Sequence, residues 1–365
     1  MRLQLAVAAL IASTTSAAAD GTLEMRGAYY KERATRVMQP MLDGMFEVGT
    51  KGLLSAHLLI DSITSASSSA GAVDSEGFNE KRYEGGAAYG HDLGALRLGV
   101  EGKYSSEPDY RSLYAGVRGE LDVAQKNTTL GLGGGISHDS IGTSMAGGLG
   151  ALTLECKAGE DPQSRCPLTT GSLYASINQI VSRRAIVGLS YDIAVQRGFT
   201  SNPYRLAIAA NMLVRERHPT ERLRHAVAIS GRYQLPTETT LIGVYRYYRD
   251  DWKIHGHTPE LRVVQEVGDT IDASLRYRYH TQNKAYFYED RYVEEDPDYR
   301  SDDVKLSKLT THTLEGKLGL RGETFGLAGR WAAARLEGIL QYIIQQNRFG
   351  NAIAAQLALT VPFEY

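Results

Sequence analysis

The sequence predicts an all-β fold, a transmembrane antiparallel β-barrel of about 16 strands with short periplasmic turns and long external loops. Two observations support this prediction. Apolar and polar residues alternate through segments of about 10 residues, which is the pattern of strands with one apolar and one polar face. The connections between these segments are alternately short and long, as in outer-membrane barrels. A membrane-spanning helix is not predicted, because no segment after the first 19 residues contains about 18 consecutive apolar residues.

The N-terminal segment predicts export. A positively charged start is followed by the mostly apolar residues 3–12, and "AAA" at 17–19 offers a cleavage site. These features are typical of a secretory signal peptide, and an ordinary N-terminal helix is the alternative. We therefore predict residues 1–19 as the signal peptide and residues 20–365 as one barrel domain in the bacterial outer membrane.

The composition favours a membrane over a nucleic acid as partner. Tyrosine occurs 22 times against 7 phenylalanines, and the formal net charge is -2 at pH 7. A tyrosine ring with its hydroxyl suits the boundary between hydrocarbon and headgroups. A nearly neutral chain does not create the field that attracts nucleic acid. The predicted partners are therefore outer-membrane lipid and lipopolysaccharide, and no nucleic acid is predicted.

Two segments show the alternation clearly. In "TTLIGVYRYYRD", Leu241 and Tyr245 fall on one face and Arg246 on the other. In "DASLRYRYHT", Leu275 and Arg276 fall on opposite faces in the same way. The same pattern predicts strands at 22–30, 36–47, 52–61, 81–91, 95–105, 110–122, 128–138, 171–181, 185–196, 222–234, 238–249, 257–267, 271–281, 309–321, 331–345 and 351–363.

The connections separate the two rims of the predicted barrel. Those after even-numbered strands are mostly short, at 92–94, 124–127, 182–184, 235–237 and 268–270. Those after odd-numbered strands are often long, at 62–80, 139–170, 197–221 and 282–308. An even number of strands leaves both chain ends on the side of the short turns, which is the periplasmic side in outer-membrane barrels.

The C-terminal segment "AIAAQLALTVPFEY" also alternates and ends on an aromatic residue. Phe363 lies on the apolar face, and Tyr365 is the last residue of the chain. A terminal aromatic after an alternating strand resembles the signal that the outer-membrane assembly machinery recognises. We therefore predict that machinery as a partner, with Phe363 and Tyr365 as the assembly signal.

Strand parity also predicts which charged residues line the lumen. If the apolar face meets lipid, the opposite face carries ten basic and five acidic candidates: Arg97, Lys103, Arg118, Arg232, Arg246, Arg262, Arg276, Arg278, Lys317, Arg335, Glu101, Glu120, Glu260, Glu315 and Glu337. One interpretation is a set of Arg–Glu pairs that hold the barrel rigid. The other is a stripe of arginines that favours a permeating anion. Both interpretations can hold together.

The two cysteines lie close together in the polar segment "CKAGEDPQSRC". In an exported protein this spacing indicates a local disulfide between Cys156 and Cys166. Free thiols are the alternative, whereas a zinc site needs more ligands nearby.

Three motifs could be taken for metal or phosphate sites. His255 and His257 of "HGH" share one face but lack an evident third ligand. The acid-rich segment 296–303 lacks the EF-hand spacing, so a solvated loop competes with a calcium site. "GLGGG" at 131–135 is not a phosphate-binding loop, and its glycines are expected to relieve crowding inside a barrel. We predict no metal site and no cofactor.

No catalytic set is apparent in the sequence. His138, Asp139 and Ser140 lie at a predicted rim, but adjacent strand residues alternate between faces and do not form a site by themselves. The protein is therefore predicted not to be an enzyme. In "RHPTERLRH", by contrast, Arg217, Arg222 and Arg224 could pair with the acids of the 282–308 loop, or contact lipopolysaccharide phosphates.

Several segments together resemble an uncharacterised bacterial family of outer-membrane β-barrels, known as a domain of unknown function. They are "LIDSITSASSSAG", "SSEPDYRS", "QKNTTLGLGGGISHDSI", "QRGFTSNPYR", "ERHPTERLRHAVAISGRYQLP", "YRYYRDDWKIHGHTPELR" and "LRYRYHTQNKAYFY". The family has an aspartate-proline pair where this chain has Asn202-Pro203. The resemblance implies the barrel fold and assigns no functional residue.

The sequence thus favours a passive pore or conduit for a solute, with a moderately cationic lumen. One alternative is the barrel component of an export system that passes a polysaccharide or another product from a periplasmic partner. The other is a closed structural or adhesive barrel that acts through its external loops.

Overall fold

Sixteen strands close into one antiparallel barrel, in which each strand is hydrogen-bonded to two neighbours. The computed structural model describes residues 20–33, 35–65, 78–143 and 153–363. The first and last strands close the ring, with Gly21 opposite Phe363. Closure leaves no strand edge without a hydrogen-bonding partner, which a sheet in hydrocarbon requires. The predicted fold class is confirmed.

The barrel strands have the following bounds: β1 Gly21–Lys31, β2 Thr35–Val48, β3 Gly52–Ser65, β4 Phe78–Asp92, β5 Leu96–Ser106, β6 Tyr110–Val123, β7 Thr128–Gly142, β8 Arg165–Ser182, β9 Ala185–Gly198, β12 Glu221–Gln234, β13 Thr239–Asp250, β14 His255–Val267, β15 Ile271–Gln282, β16 Leu309–Arg321, β17 Arg335–Gln345 and β18 Ala352–Phe363. Two further strands, β10 Leu206–Ala209 and β11 Met212–Arg215, form a separate two-stranded sheet in the loop between β9 and β12.

Two elements differ from the sequence prediction. The hairpin β7–β8 remains paired beyond the predicted ends, as far as Gly142 opposite Arg165, so the loop predicted at 139–170 is shorter. β17 begins at Arg335, because residues Gly322–Phe325 and Arg330–Ala333 form short helical turns before it. Among the described residues, no helix is long and apolar enough to cross a bilayer.

Large apolar side chains are exposed on the outside of the barrel. Leu275 is 71% exposed, Val117 63% and Leu132 65%. Such a continuous apolar surface is unfavourable in water and would destabilise a soluble barrel, whereas lipid hydrocarbon accommodates it. The alternating residues face the opposite way, and we call their side of the sheet the inward face.

Glycines make room for aromatic rings on the inward face. A Cβ atom at Gly133 would collide with the ring of Tyr174, and one at Gly135 with the ring of Tyr114. Both tyrosines lie on strands directly beside these glycines. The expectation that "GLGGG" relieves crowding is therefore confirmed.

The start of β1 and the end of β18 lie at the rim of the short turns. The ring of Phe363 packs 5.8 Å from that of Phe46, measured between centroids. Tyr365, the other residue of the predicted assembly signal, lies outside the described residues, as does the predicted signal peptide 1–19. Recognition by the assembly machinery and processing by a signal peptidase stay predictions.

Candidate functional site: the inner wall and the external cap

Arg262 and Arg276 lie directly opposite each other on β14 and β15. They share one acid, since Arg276 donates from Nη2 to Glu315 Oε2 and Arg262 Nη2 lies 3.5 Å from Glu315 Oε1. Arg276 also donates from Nη1 to Glu260 Oε2 at 3.4 Å. Glu315 is buried. Its charge is therefore balanced by two guanidinium groups rather than by water.

Four other predicted basic residues also form ion pairs. Arg97 contacts Glu120 at 3.2 Å and Asp122 at 2.6 Å. Lys103 lies 3.3 Å from Glu84. The remaining pairs are Lys317 with Glu337 at 2.6 Å, Arg335 with Glu337 at 3.5 Å, and Arg335 with Asp272. Pairing across adjacent strands is therefore the commoner arrangement among the predicted cations.

The other four predicted cations, Arg118, Arg232, Arg246 and Arg278, form no ion pair with any residue that the structure describes. Arg278 is exposed although it stands opposite Glu260 in the strand register. Glu260 contacts Arg276 instead. Arg246 lies over the ring of Tyr248, with 5.5 Å between its Cζ atom and the ring centroid. These guanidinium groups can bind a passing anion without first breaking an ion pair.

Glu101, the fifth predicted acid, accepts a hydrogen bond of 2.9 Å from the Tyr114 hydroxyl.

Sequence reasoning missed several other acids of the inward face. The strand register and the ion pairs add Glu24, Asp43, Asp61, Glu80, Glu84, Asp122, Asp250, Glu266 and Asp272 to the same face. Strict alternation would have found Asp122, Asp250, Glu266 and Asp272, because each lies an even number of positions from a predicted residue on the same strand. The other five lie on β1–β4, where no lumen residue was predicted.

The added acids change the distribution of charge. Strands β12–β15 place seven arginines inward, namely Arg222, Arg224, Arg232, Arg246, Arg262, Arg276 and Arg278, against Asp250, Glu260, Glu266 and Asp272. Strands β2–β5 stand eight positions away around the ring. Their inward acids include Asp43, Asp61, Glu80, Glu84 and Glu101, against Arg82, Arg97 and Lys103. A basic wall therefore faces an acidic one. We call β12–β15 the arginine wall.

The histidines of "HGH" lie on the outward face and bind tyrosines. His257 Nδ1 lies 2.7 Å from the hydroxyl of Tyr245, and His255 Nδ1 lies 3.0 Å from that of Tyr247. Similar pairs join Tyr191 to His225 and Tyr277 to His312. These neighbours form a Tyr–His belt across the outside of β9 and β12–β16, at the level expected for headgroups.

The disulfide is confirmed. Cys156 and Cys166 are bonded, and both are buried with Leu154, Leu168 and Phe199 in a small apolar cluster. The cluster joins residues 153–166 to the base of the loop between β9 and β12. The disulfide therefore closes one external loop, and the apolar cluster packs that loop against Phe199 at the start of the next.

His138, Asp139 and Ser140, considered and rejected as a catalytic set in the sequence, point to opposite faces of β7. His138 Nδ1 contacts the hydroxyl of Thr169 at 3.2 Å, and Ser140 accepts from Arg165 Nε at 2.8 Å. Asp139 lies between them on the opposite face of β7, as alternation requires. The three side chains therefore have separate partners.

The loops 199–220 and 283–308 bind each other above the barrel, and we call the pair the external cap. Backbone bridges join Ala209 to Tyr292 and Arg217 to Arg300. Arg217 also lies 3.6 Å from Asp296, so the predicted pairing with this loop is confirmed for that arginine. Arg222 instead binds Asp250 at 2.6 Å and lies over Trp252.

Glu216 is the buried centre of the cap. One oxygen accepts from Ser301 and lies 3.0 Å from His218 Nε2, and the other accepts from the backbone of Asn202 at 2.9 Å. Burial alone would raise the pKa of Glu216, but the close contact with His218 and the charge of Arg205 outweigh it and lower that pKa. The cap is thus fastened by an ionised carboxylate.

Two consecutive residues of the cap contact segments that arise from opposite sides of the barrel. Tyr204 donates to Asp109 in the β5–β6 turn, and Arg205 pairs with Asp303 in the loop between β15 and β16. β5 and β15 are eight positions apart in a ring of 16 strands. Strands about 4.8 Å apart and tilted by about 40° give a ring of roughly 100 Å around and 32 Å across. The Cα atoms of Tyr204 and Arg205 are only about 3.8 Å apart, far less than the width of the barrel. The segments that these two residues contact must therefore approach each other over the mouth.

The rim at the β5–β6 turn is acidic. Arg82 lies 3.4 Å from Asp61 and 3.9 Å from Glu107. Burial and the neighbouring charge of Asp109 raise the pKa of Glu107 to about 7, although Arg82 opposes the shift.

A closed antiparallel ring of 16 strands with an apolar outer face defines an outer-membrane β-barrel protein. Within that class, residues 74–342 match the family described as "protein of unknown function (DUF3570)". The chain belongs to this family, as the sequence resemblance implied.

Several solved structures are similar to this chain at low identity. A bacterial polysaccharide outer membrane secretin has a TM-score of 0.54 and 8% identity, with 94% of this chain and 98% of that chain covered. A BenF-like porin from Pseudomonas fluorescens has a TM-score of 0.49 and 8% identity, with 95% and 99% covered. OccK2 of Pseudomonas aeruginosa, solved in complex with glucuronate, has 0.47 and 10%, with 95% and 98% covered. No curated protein matches the sequence.

Proposed function

We propose that this protein is an outer-membrane conduit for an anionic solute that passes along the arginine wall. The observation that carries the proposal is that Arg246 and Arg278 face inward without an ion-pair partner among the described residues. Arg232 on β12 also faces inward and also has no ion-pair partner among the described residues. Three of the four unpaired arginines lie on β12, β13 and β15, so the proposed path for anions is one side of the lumen rather than its whole section.

Physical reasons support this arrangement. Low-dielectric walls focus the field of charged side chains into a narrow aqueous space, which raises the local concentration of the opposite ion. The arginines that are paired, such as Arg276 with Glu315, hold the wall in place. The free ones then act on the solute. Selectivity should be moderate and should weaken as salt screens the charges.

Reversal potentials in a potassium chloride gradient, recorded with purified barrel in planar bilayers, test the proposal. The wild type should prefer chloride, and Arg278→Gln and Arg246→Gln should each shift the preference toward potassium. Arg249→Gln is the matched control, since Arg249 is exposed on the outward face beside Tyr191 and His225. Equal shifts in the control and the inward variants, or no preference in the wild type, would refute the arginine wall as the path.

A second candidate function is supported by the cap. Because Tyr204 holds the cap to the β5–β6 turn and Arg205 holds together its two loops, a cap that covers the lumen would have to move before the barrel conducts. This is the behaviour of a conduit opened by a partner, such as the barrel of an export system for a polysaccharide. A wild-type barrel without conductance, and a cap variant such as Glu216→Ala with stable conductance, would favour this candidate over the free conduit.

A further inference from the structure

Three carboxylates meet at the external rim on the acidic side of the barrel. Glu80 comes from β4, and Glu107 and Asp109 come from the β5–β6 turn. One oxygen of each lies within 4.8 Å of the others. Glu80 and Asp109 are buried, and Glu107 is half-buried. The cluster is far from the arginine wall, since β5 and β15 stand on opposite sides of the ring.

The spacing of these oxygens suits a calcium ion. Ca²⁺ binds carboxylate oxygens at about 2.3–2.6 Å, so two of its ligands can lie up to about 5 Å apart. The three oxygens lie within 4.8 Å of one another, which is close enough for all of them to bind one calcium ion. Three carboxylates also offer enough oxygens for most of a calcium coordination shell.

Negative charge is concentrated around the cluster. Asp61 adds a fourth carboxylate, which Arg82 links to Glu107 at distances of 3.4 Å and 3.9 Å. Arg82 brings one positive charge to these four acids. Carboxylates held together away from water repel one another unless a cation or a proton joins them.

A second observation points to a ligand. Asp61 is only 3% exposed, and its Oδ1 atom has no hydrogen-bond partner among the described residues. Ser105 is 5% exposed, and its hydroxyl is likewise without a partner within the described chain. Ser105 lies two residues before Glu107, on the same inward face as Arg82 and Glu84. Buried oxygens without partners are costly, and a bound cation would satisfy them.

We propose that Glu80, Glu107 and Asp109, with Asp61 beside them, form a calcium site at the external rim. The ion would join β3, β4 and the β5–β6 turn. The hydroxyl of Tyr204 in the cap donates a hydrogen bond to Asp109 Oδ2, so the same ion would hold one end of the cap in place. The site is independent of the proposed anion path, because none of its residues lies on the arginine wall.

The experiment is a titration of the purified full-length barrel in detergent, first stripped with a chelator. Calcium chloride should bind with a stoichiometry of one in isothermal titration calorimetry and should raise the thermal unfolding temperature, reversibly on chelation. Terbium offers a second readout, because excitation of Tyr204 beside Asp109 should sensitise its emission. These wild-type measurements need no variant. No saturable binding, or saturation by magnesium in preference to calcium, would overturn the assignment.

Substitutions then locate the ion. Glu107→Gln and Asp109→Asn should each weaken calcium binding by at least tenfold and should abolish the terbium signal. Glu294→Gln is the control, because it removes one exposed carboxylate from the loop 283–308 and should bind calcium as the wild type does. Circular dichroism and heat-modifiable gel mobility report folding. Folded Glu107→Gln and Asp109→Asn variants with wild-type affinity would overturn the proposed site.

Discussion

Arg276 on β15 donates to Glu315, the residue directly opposite it on β16, and Glu315 also holds Arg262 from β14. One buried carboxylate therefore joins three consecutive strands. Because Arg262 and Arg276 are themselves directly opposed, removal of the acid would leave two like charges facing each other.

The first prediction is that Glu315→Gln destabilises the barrel by about 1.5–3 kcal/mol, the range for hydrogen bonds to charged groups. Thermal unfolding in detergent should show the loss. Glu120→Gln should cost less, because its partner Arg97 keeps Asp122 at 2.6 Å. Equal losses in the two variants would show that the shared acid has no special role.

The second prediction concerns the outward face. Leu275 is 71% exposed on the outside of the barrel, so Leu275→Arg places a charge in hydrocarbon and should cost about 2–4 kcal/mol near the bilayer midplane. Arg278→Leu, on the exposed inward face of the same strand, should assemble normally. Heat-modifiable gel mobility of membrane fractions compares them, and the reverse result would mean that the faces are exchanged.

The third prediction concerns the disulfide. Replacement of both Cys156 and Cys166 by serine should destabilise the external loop by about 2–3 kcal/mol, as expected for a closed loop of this size. Limited proteolysis should then cut within residues 153–165 faster than in the wild type, while the barrel stays intact. Mass spectrometry without reductant should show the linked peptide in the wild type, and two alkylatable cysteines there would contradict the structure.

The fourth prediction concerns the fastening of the cap by Glu216. Its pKa is lowered in the folded protein, because the interactions with His218 and Arg205 outweigh the effect of burial. The carboxylate therefore stabilises the cap fully above its ordinary pKa of about 4.3, and this contribution is lost as the pH falls through the lower folded value. Proteolysis of loops 199–220 and 283–308 by an acid-active protease should increase as the pH is lowered below about 4.

The matched variant for this prediction is Glu216→Gln, which keeps the size of the side chain. Its cap should already be sensitive near neutral pH, and its sensitivity should change little on acidification. A wild-type cap whose cleavage does not depend on pH, or a variant that behaves as the wild type, would show that Glu216 does not fasten the loops.

The sequence by itself determined the barrel, because a lipid-embedded strand must alternate and must pair on both edges. Parity of Leu275 and Arg276 predicted opposite faces, and the order of short and long connections predicted the two rims. The close spacing of Cys156 and Cys166 sufficed for the disulfide. These are local features, in which residues a few positions apart carry the signal.

Only the tertiary structure decided which charges meet. Glu80 is separated by 27 positions from Glu107 in the sequence, and the register of β4 with β5 brings them to one rim. Tyr204 reaches Asp109, which lies 95 positions earlier, only because the loop crosses a closed ring. Arg276 is paired and Arg278 is unpaired because of the neighbours that β14, β15 and β16 bring together. Alternation defines the face of each side chain, but the strand register and the path of the loops define its partners.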